Sequence, residues 1–174
     1  VTASGDAAPV RVAEQPHVAV VGPGSPSDEE RALAFEVGAL LARAGAVVVC
    51  GGLGGVMEEA CRGAKSVAGE RVATVGLLPG LDRAAANPFV DVAIPTGLGE
   101  LRNGLVVRSS DAVIAVGGAF GTLSEIALAV KAGRRVAGLA TWELSRAGVT
   151  DETVVTATDA SDAVAIALSA IAAQ

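Results

Sequence analysis

The chain has 174 residues, 51% of them apolar and only 2% aromatic, with no Tyr, so its core must be built from Ala, Val, Leu and Ile. That length suits one domain with a substantial buried interior. The net charge of −6 argues against a nucleic-acid partner, which needs a basic face; any anion site must be local, made from helix N-termini and one or two Arg.

Residues 1–15 read as a flexible N-terminal arm and 16–174 as a single domain. Asp6, Arg11, Glu14 and Pro16 break any signal-peptide pattern, and no apolar run reaches transmembrane length. The expectation is a cytoplasmic protein with no membrane partner. His17 is the sole histidine, which excludes a His-based triad or zinc site by inventory. Cys50 and Cys61 lack CxxC spacing and read as two reduced, buried thiols.

His17–Val21 is a continuous apolar strand ending in Gly22-Pro23-Gly24-Ser25. A helix follows over 28–44, opened by the capping box Ser27-x-x-Glu30 and stopped by Gly45. Residues 46–50 form the second strand, and a Gly-rich turn leads to a helix over 55–67. Residues 72–77 are the third strand, 78–89 a loop, and 90–94 a short strand. Residues 100–109 read as a helix and 112–116 as a buried strand. A second Gly-rich turn opens a helix over 122–132, stopped by Gly133. Strands over 135–140 and 153–156 and a helix over 161–172 complete the chain. Strands that are apolar on both faces and alternate with helices specify a parallel sheet covered on both sides. The predicted fold class is α/β, a Rossmann-like three-layer sandwich with a mostly parallel sheet. Ligands in such sheets bind outside the carboxyl ends of the strands, where all three Gly-rich turns fall.

One pattern, GGxxGxxxE, occurs twice: Gly51-Gly52-Leu53-Gly54-Gly55-Val56-Met57-Glu58-Glu59 and Gly117-Gly118-Ala119-Phe120-Gly121-Thr122-Leu123-Ser124-Glu125. Glycine permits close backbone approach to a ligand, and a helix start offers unpaired N–H groups and a positive dipole end. Two such turns side by side predict a pocket for a small phosphorylated ligand. Gly117, Gly118 and Gly121 wrap the phosphate in this reading, Thr122 adds its hydroxyl, and Phe120 flanks a ring. Thr122-x-x-Glu125 equally fits a capping box, in which Glu125 merely binds its own helix start. Glu58 and Glu59 likewise suit a first helical turn. The dinucleotide fingerprint is absent: Gly22-Pro23-Gly24-Ser25-Pro26-Ser27 lacks the third Gly, and strand two ends in Cys50-Gly51 without an acidic residue. Gly63-Ala64-Lys65-Ser66 lies within a helix at the wrong spacing for a P-loop. Read without context, Arg102 is a solvated surface residue.

The strings CGGLGGVMEEACRGA (50–64) and LRNGLVVRSSDAVIAVGGAFGTLSE (101–125) resemble the LOG-type proteins, long labelled "possible lysine decarboxylase", and within them the branch that includes molybdenum cofactor carrier proteins. The resemblance runs over about residues 17–140. It implies a Rossmann-like, usually dimeric nucleotide-binding protein, here a homodimer or higher homo-oligomer. Enzymes of that family hydrolyse the N-glycosidic bond of nucleoside 5′-monophosphates, with no cofactor, to free base and ribose 5-phosphate. Their motif is PGGxGTxxE with an Arg-Lys pair on the preceding helix. Carried over, Gly117, Gly118, Gly121 and Thr122 hold the 5′-phosphate, Glu125 contacts the ribose and assists cleavage, and Arg102 matches the catalytic Arg. Gly22, Gly24, Ser25, Gly51, Gly52, Gly54, Gly55, Met57 and Asn103 join the ligand-binding set. Val116 stands where the hydrolases have Pro, and Asn103 where they have Lys; both match the carrier-like branch. The alternative is therefore a non-catalytic carrier or sensor whose ligand is the molybdenum cofactor, another pterin or a nucleotide. Lysine decarboxylation is rejected, because Lys65 and Lys131 both sit within predicted helices.

Overall fold

The computed structural model describes residues 14–69 and 72–172. The arm expected over 1–15 therefore lies, apart from Glu14 and Gln15, outside the described residues.

Among the described residues, nine strands and five α-helices follow one another as β1 (His17–Val21), α1 (Asp28–Arg43), β2 (Val47–Cys50), α2 (Val56–Lys65), β3 (Thr74–Leu78), β4 (Val92–Pro95), α3 (Asn103–Arg108), β5 (Ala112–Val116), α4 (Phe120–Lys131), β6 (Val136–Leu139), β7 (Ser145–Arg146), β8 (Val149–Thr150), β9 (Val154–Thr156) and α5 (Ala160–Ala172). Seven strands form one sheet in the order β4-β3-β2-β1-β5-β6-β9, and every pairing in it is parallel. The strand order reverses between β1 and β5, the place where open α/β sheets form their ligand crevice.

Side chains alternate across the sheet. Val18 and Val20 pack toward α1, α2 and α5, while Ala19 and Val21 pack with Val106, Val107, Ile126 and Ala129 of α3 and α4. The three layers expected from sequence are thus present. None of the largest fully buried side chains is aromatic; Leu41, Leu78, Ile114, Ile126 and a set of valines fill the interior. Helices α1 and α2 meet backbone to backbone. A Cβ at Gly38 would collide with the Ala60 carbonyl, and one at Gly63 with the Phe35 carbonyl.

The capping box at α1 forms as expected: Ser27 Oγ accepts from the Glu30 amide at 3.2 Å, and Glu30 Oε2 accepts from the Ser27 amide at 2.7 Å. Two local readings are corrected, and one element was not foreseen. The helix expected over 100–109 is a 3-10 turn, Gly99–Arg102, followed by a short α3. Helix α4 starts at Phe120 rather than Thr122. The segment after β6 carries an antiparallel hairpin, β7–β8, which its exposed, non-alternating sequence does not announce.

Candidate functional site

The segments that follow β1, β2, β3, β4 and β5 converge at the carboxyl edge on a cleft of about 340 Å³, within the size range of small-ligand sites. A larger open depression of about 730 Å³ flanks the β7–β8 hairpin, but none of the Gly-rich turns reaches it.

Gly22, Gly24, Met57, Arg102, Asn103, Gly121, Thr122 and Glu125 line the cleft, as do Pro23, Leu53, Pro79, Gly99, Glu100 and Ala119. The remaining residues of the predicted set do not. Gly51 lies beneath Arg102, where a Cβ would sit 2.6 Å from the guanidinium carbon. Gly52 packs against Gly76 and Leu78, Gly54 beside Glu58, and Gly117 against the Glu30 carboxylate. Gly55, at φ 73°, backs onto the Pro23–Gly24 backbone. Ser25 is exposed on the β1–α1 loop. Gly118 makes room for Trp142, whose indole N–H donates to the Ala119 carbonyl at 3.3 Å. Phe120 is 81% exposed and leans on Trp142 rather than on the cleft, with ring centroids 5.8 Å apart.

The cleft floor is an ion pair. Arg102 ends the 3-10 turn and points inward, whereas its neighbour Leu101 is 81% exposed. Its Nη1 lies 3.6 Å from Glu125 Oε1, and both side chains are over nine-tenths buried. That separation is longer than a hydrogen bond. Burial pushes the Glu125 carboxyl up to about 7, with the Arg102 charge pulling the other way. Near neutral pH the Arg102 charge is therefore only partly neutralised from within the protein. Arg102 Nε and Thr122 Oγ1 are both buried without a hydrogen-bond partner. The N-cap of α4, Ala119, gives no side-chain cap, so the first-turn N–H groups lack that partner beside Gly121, where a Cβ would meet nothing within 4 Å. A buried cation, an unpaired hydroxyl and an uncapped helix N-terminus form an anion-binding set.

Glu125 does not cap its own helix. It lies in the second turn of α4 and faces Arg102, so the capping-box reading of Thr122-x-x-Glu125 does not hold. Its counterpart in the first motif, Glu59, does the opposite. It accepts from Arg62 Nε at 2.8 Å, pairs with Arg31 at 3.8 Å, and lies half-buried between α1 and α2, outside the cleft lining. A residue missed from sequence is Asn87, buried in the 78–89 loop. Its amide donates to the Leu53 carbonyl at 2.9 Å, and its backbone N–H to the Gly52 carbonyl at 2.9 Å, clamping the first turn. Only its place beside Pro88 marks it in the sequence. No helix among the described residues is long and apolar enough to cross a membrane.

A protein of Archaeoglobus fulgidus is 47% identical over 122 residues, 70% of this chain and 78% of its own length. The molybdenum cofactor binding protein of Rippkaea orientalis superposes with a TM-score of 0.81 at 35% identity, covering 90% of this chain and 98% of that one. The Moco carrier protein of Chlamydomonas reinhardtii does so with a TM-score of 0.79 at 34% identity, covering 92% and 99%. The resemblance to the carrier branch of the LOG-type proteins thus extends over nearly the whole fold. The SLOG cluster4 family matches residues 15–170, and the chain belongs to that family.

Proposed function

We propose that this protein is a binding and carrier module that holds a phosphorylated heterocycle of the molybdenum cofactor type in the cleft at the β1/β5 crossing. One observation carries the reading: Arg102 and Thr122 keep buried polar atoms unpaired beside the uncapped start of α4. Leaving such groups unpaired costs about 1–3 kcal/mol each, a cost that a bound phosphate removes. The similarity to solved structures named for the molybdenum cofactor supports this choice of ligand. Here the cofactor is cargo. Gly121, the α4 amides and Thr122 receive its phosphate, Arg102 neutralises it, and Asn103 and Met57 border the ring. The open Gly24 lies on the opposite lip, where a Cβ would likewise meet nothing.

A second reading is cleavage of the N-glycosidic bond of nucleoside 5′-monophosphates, favoured by the buried Glu125 carboxylate on the floor. An anionic Glu125 would stabilise positive charge developing on a ribose. Its raised pKa leaves that charge incomplete at neutral pH, and for this reason binding is placed ahead of turnover.

Incubation of the protein with AMP, and separately with molybdenum cofactor released from a molybdoenzyme, separates the two. The carrier reading expects fluorescent oxidised pterin to travel with the wild-type protein and to be lost in Arg102→Ala, with AMP intact. Free adenine that vanishes in Glu125→Ala would replace the carrier reading with the hydrolase. A single-stranded oligonucleotide serves as competitor, and displacement of the pterin by it would count against a small-molecule site.

For a homo-oligomer we infer a copy-to-copy contact through the apolar face formed by Leu98, Leu101 and Leu105, all exposed beside Arg102. Sedimentation of Leu101→Glu as a smaller species than wild type is the expected result; identical sedimentation would remove this face from the assembly.

A further inference from the structure

We propose that Cys50 and Cys61 form a dithiol that closes to a disulfide under peroxide, and that closure withdraws the Gly51 seat from Arg102 and so empties the ligand cleft.

The pair is built, not incidental. Both sulfurs are fully buried and lie 3.6 Å apart in hydrogen-bond contact. The Gly52 amide donates to Cys50 Sγ at 3.3 Å, so Cys50 is the sulfur equipped to carry negative charge. The Cys61 S–H donating to it, then Gly52 and the Arg102 charge, lower the Cys50 pKa against the opposing effect of burial. Cys61 is shifted the other way, upward, by the same contact and by burial. One thiol is thus the nucleophile and the other its resolving partner.

The reaction balances with hydrogen peroxide as oxidant. The Cys50 sulfur attacks one peroxide oxygen and the O–O bond breaks. The departing hydroxide takes the Cys50 proton and leaves as water, and Cys50 becomes a sulfenic acid. The Cys61 sulfur then attacks the Cys50 sulfur, the S–O bond breaks, and the hydroxyl leaves as a second water with the Cys61 proton. Two electrons pass from the two sulfurs to the peroxide. Leu53 and Met57, which line the cleft, also pack on the cysteine pair, so they are the side chains that peroxide must pass.

The consequence follows from which side can move. A disulfide bond is about 2.05 Å long, so the sulfurs must approach by roughly 1.5 Å. Cys61 lies mid-way along α2, which the Gly38 and Gly63 contacts hold against α1. Cys50 is the last residue of β2 and leads directly into the Gly51–Gly52 turn. The movement therefore falls on the turn, where Gly51 carries the Arg102 guanidinium and Gly52 donates to Cys50. Because linkage is reciprocal, a ligand that holds Arg102 in place also protects the thiols.

The effect on ligand rests on the cleft reading above; the disulfide and the turn movement do not. The test treats the full chain with peroxide and follows intact mass, amide exchange over residues 51–55, and AMP affinity. The expected results are a mass lower by two hydrogen atoms, faster exchange at the turn, and roughly tenfold weaker AMP binding. All three should be absent from Cys61→Ser and reversed by dithiothreitol. Survival of both thiols in excess peroxide overturns the pair. A disulfide formed with exchange and affinity unchanged overturns the coupling. If reduced protein fails to bind AMP at all, the failure belongs to the cleft reading, and the exchange measurement alone decides this one.

Discussion

The two Gly-rich turns share a nine-residue pattern, yet the protein uses them differently. In the first, the space left by Gly51, Gly52 and Gly55 is filled by protein. Arg102 lies on Gly51, Leu78 and Gly76 close on Gly52, and the Pro23–Gly24 backbone closes on Gly55. Asn87 ties the turn's carbonyls, and its glutamate, Glu59, faces two surface arginines. In the second, Gly117 and Gly118 are filled by Glu30 and Trp142, but nothing stands over Gly121. Thr122 is buried without a partner, and Glu125 points into the cleft. The first turn is a seat for Arg102, and the second is the one proposed to receive the ligand. A motif glycine reports only that a Cβ does not fit; whether protein or ligand takes its place is a property of the fold.

The largest effect that tests this difference is Gly55→Ala. The φ of 73° disfavours any L side chain, and a Cβ would lie 2.6 Å from the Gly24 carbonyl carbon. A loss of about 3 kcal/mol or more is expected in denaturant unfolding. A loss below about 1 kcal/mol would mean that the first turn is not packed as a seat.

Next in size is the pH dependence set by Glu125. Its carboxyl is raised from 4.5 to about 7 in the folded chain, so the folded state binds the proton more tightly than the unfolded one. That contribution to stability is fully present below pH about 4.5 and is lost as pH rises through about 7. Its full size is on the order of 3 kcal/mol. Urea unfolding from pH 5 to pH 8 should show wild type losing stability that Glu125→Gln does not lose. Parallel curves for the two proteins would mean that Glu125 is not desolvated, and the contrast with Glu59, which two arginines neutralise, would fall.

Much of this was legible in the sequence. Strands such as Val47–Cys50, apolar at every position, announce a doubly covered sheet, and Ser27-x-x-Glu30 announces the start of α1. The pairing of Arg102 with Glu125 was legible only through the family resemblance. Twenty-odd residues separate them, and the sheet order that brings the 3-10 turn over α4 has no local signal. The different fates of Glu59 and Glu125 were not legible, because both lie at the same place in the same motif. The deciding partners, Arg31 and Arg62 for one and Arg102 for the other, come from packing. The seat under Arg102 was hidden for the same reason: a glycine that admits a guanidinium looks like one that admits a phosphate.

Gly121→Ala sharpens the comparison on binding rather than on folding. No atom stands where the new methyl would go, and alanine in a helix is favoured over glycine by up to about 1 kcal/mol. Stability should stay level or rise, while phosphate-bearing ligand binds at least about tenfold more weakly because the methyl blocks approach to the α4 amides. Calorimetric titration beside thermal unfolding measures both. Unchanged affinity would move the phosphate away from the start of α4.

The smallest expected effect is Glu59→Ala, and it is informative because it is small. Glu59 holds the half-exposed Arg62 at 2.5 Å, and Arg62 in turn lies 4.4 Å over the Phe35 ring. An ion pair whose cation is about half exposed contributes about 0–1 kcal/mol. Arg62 keeps its contact with Phe35 when the carboxylate is gone, so stability should fall by no more than that. Ligand affinity should match wild type, since no atom of Glu59 lines the cleft. Were Glu59→Ala to weaken binding as Glu125→Ala does, the two glutamates would share one role, and the first turn would be a second receptor rather than a seat.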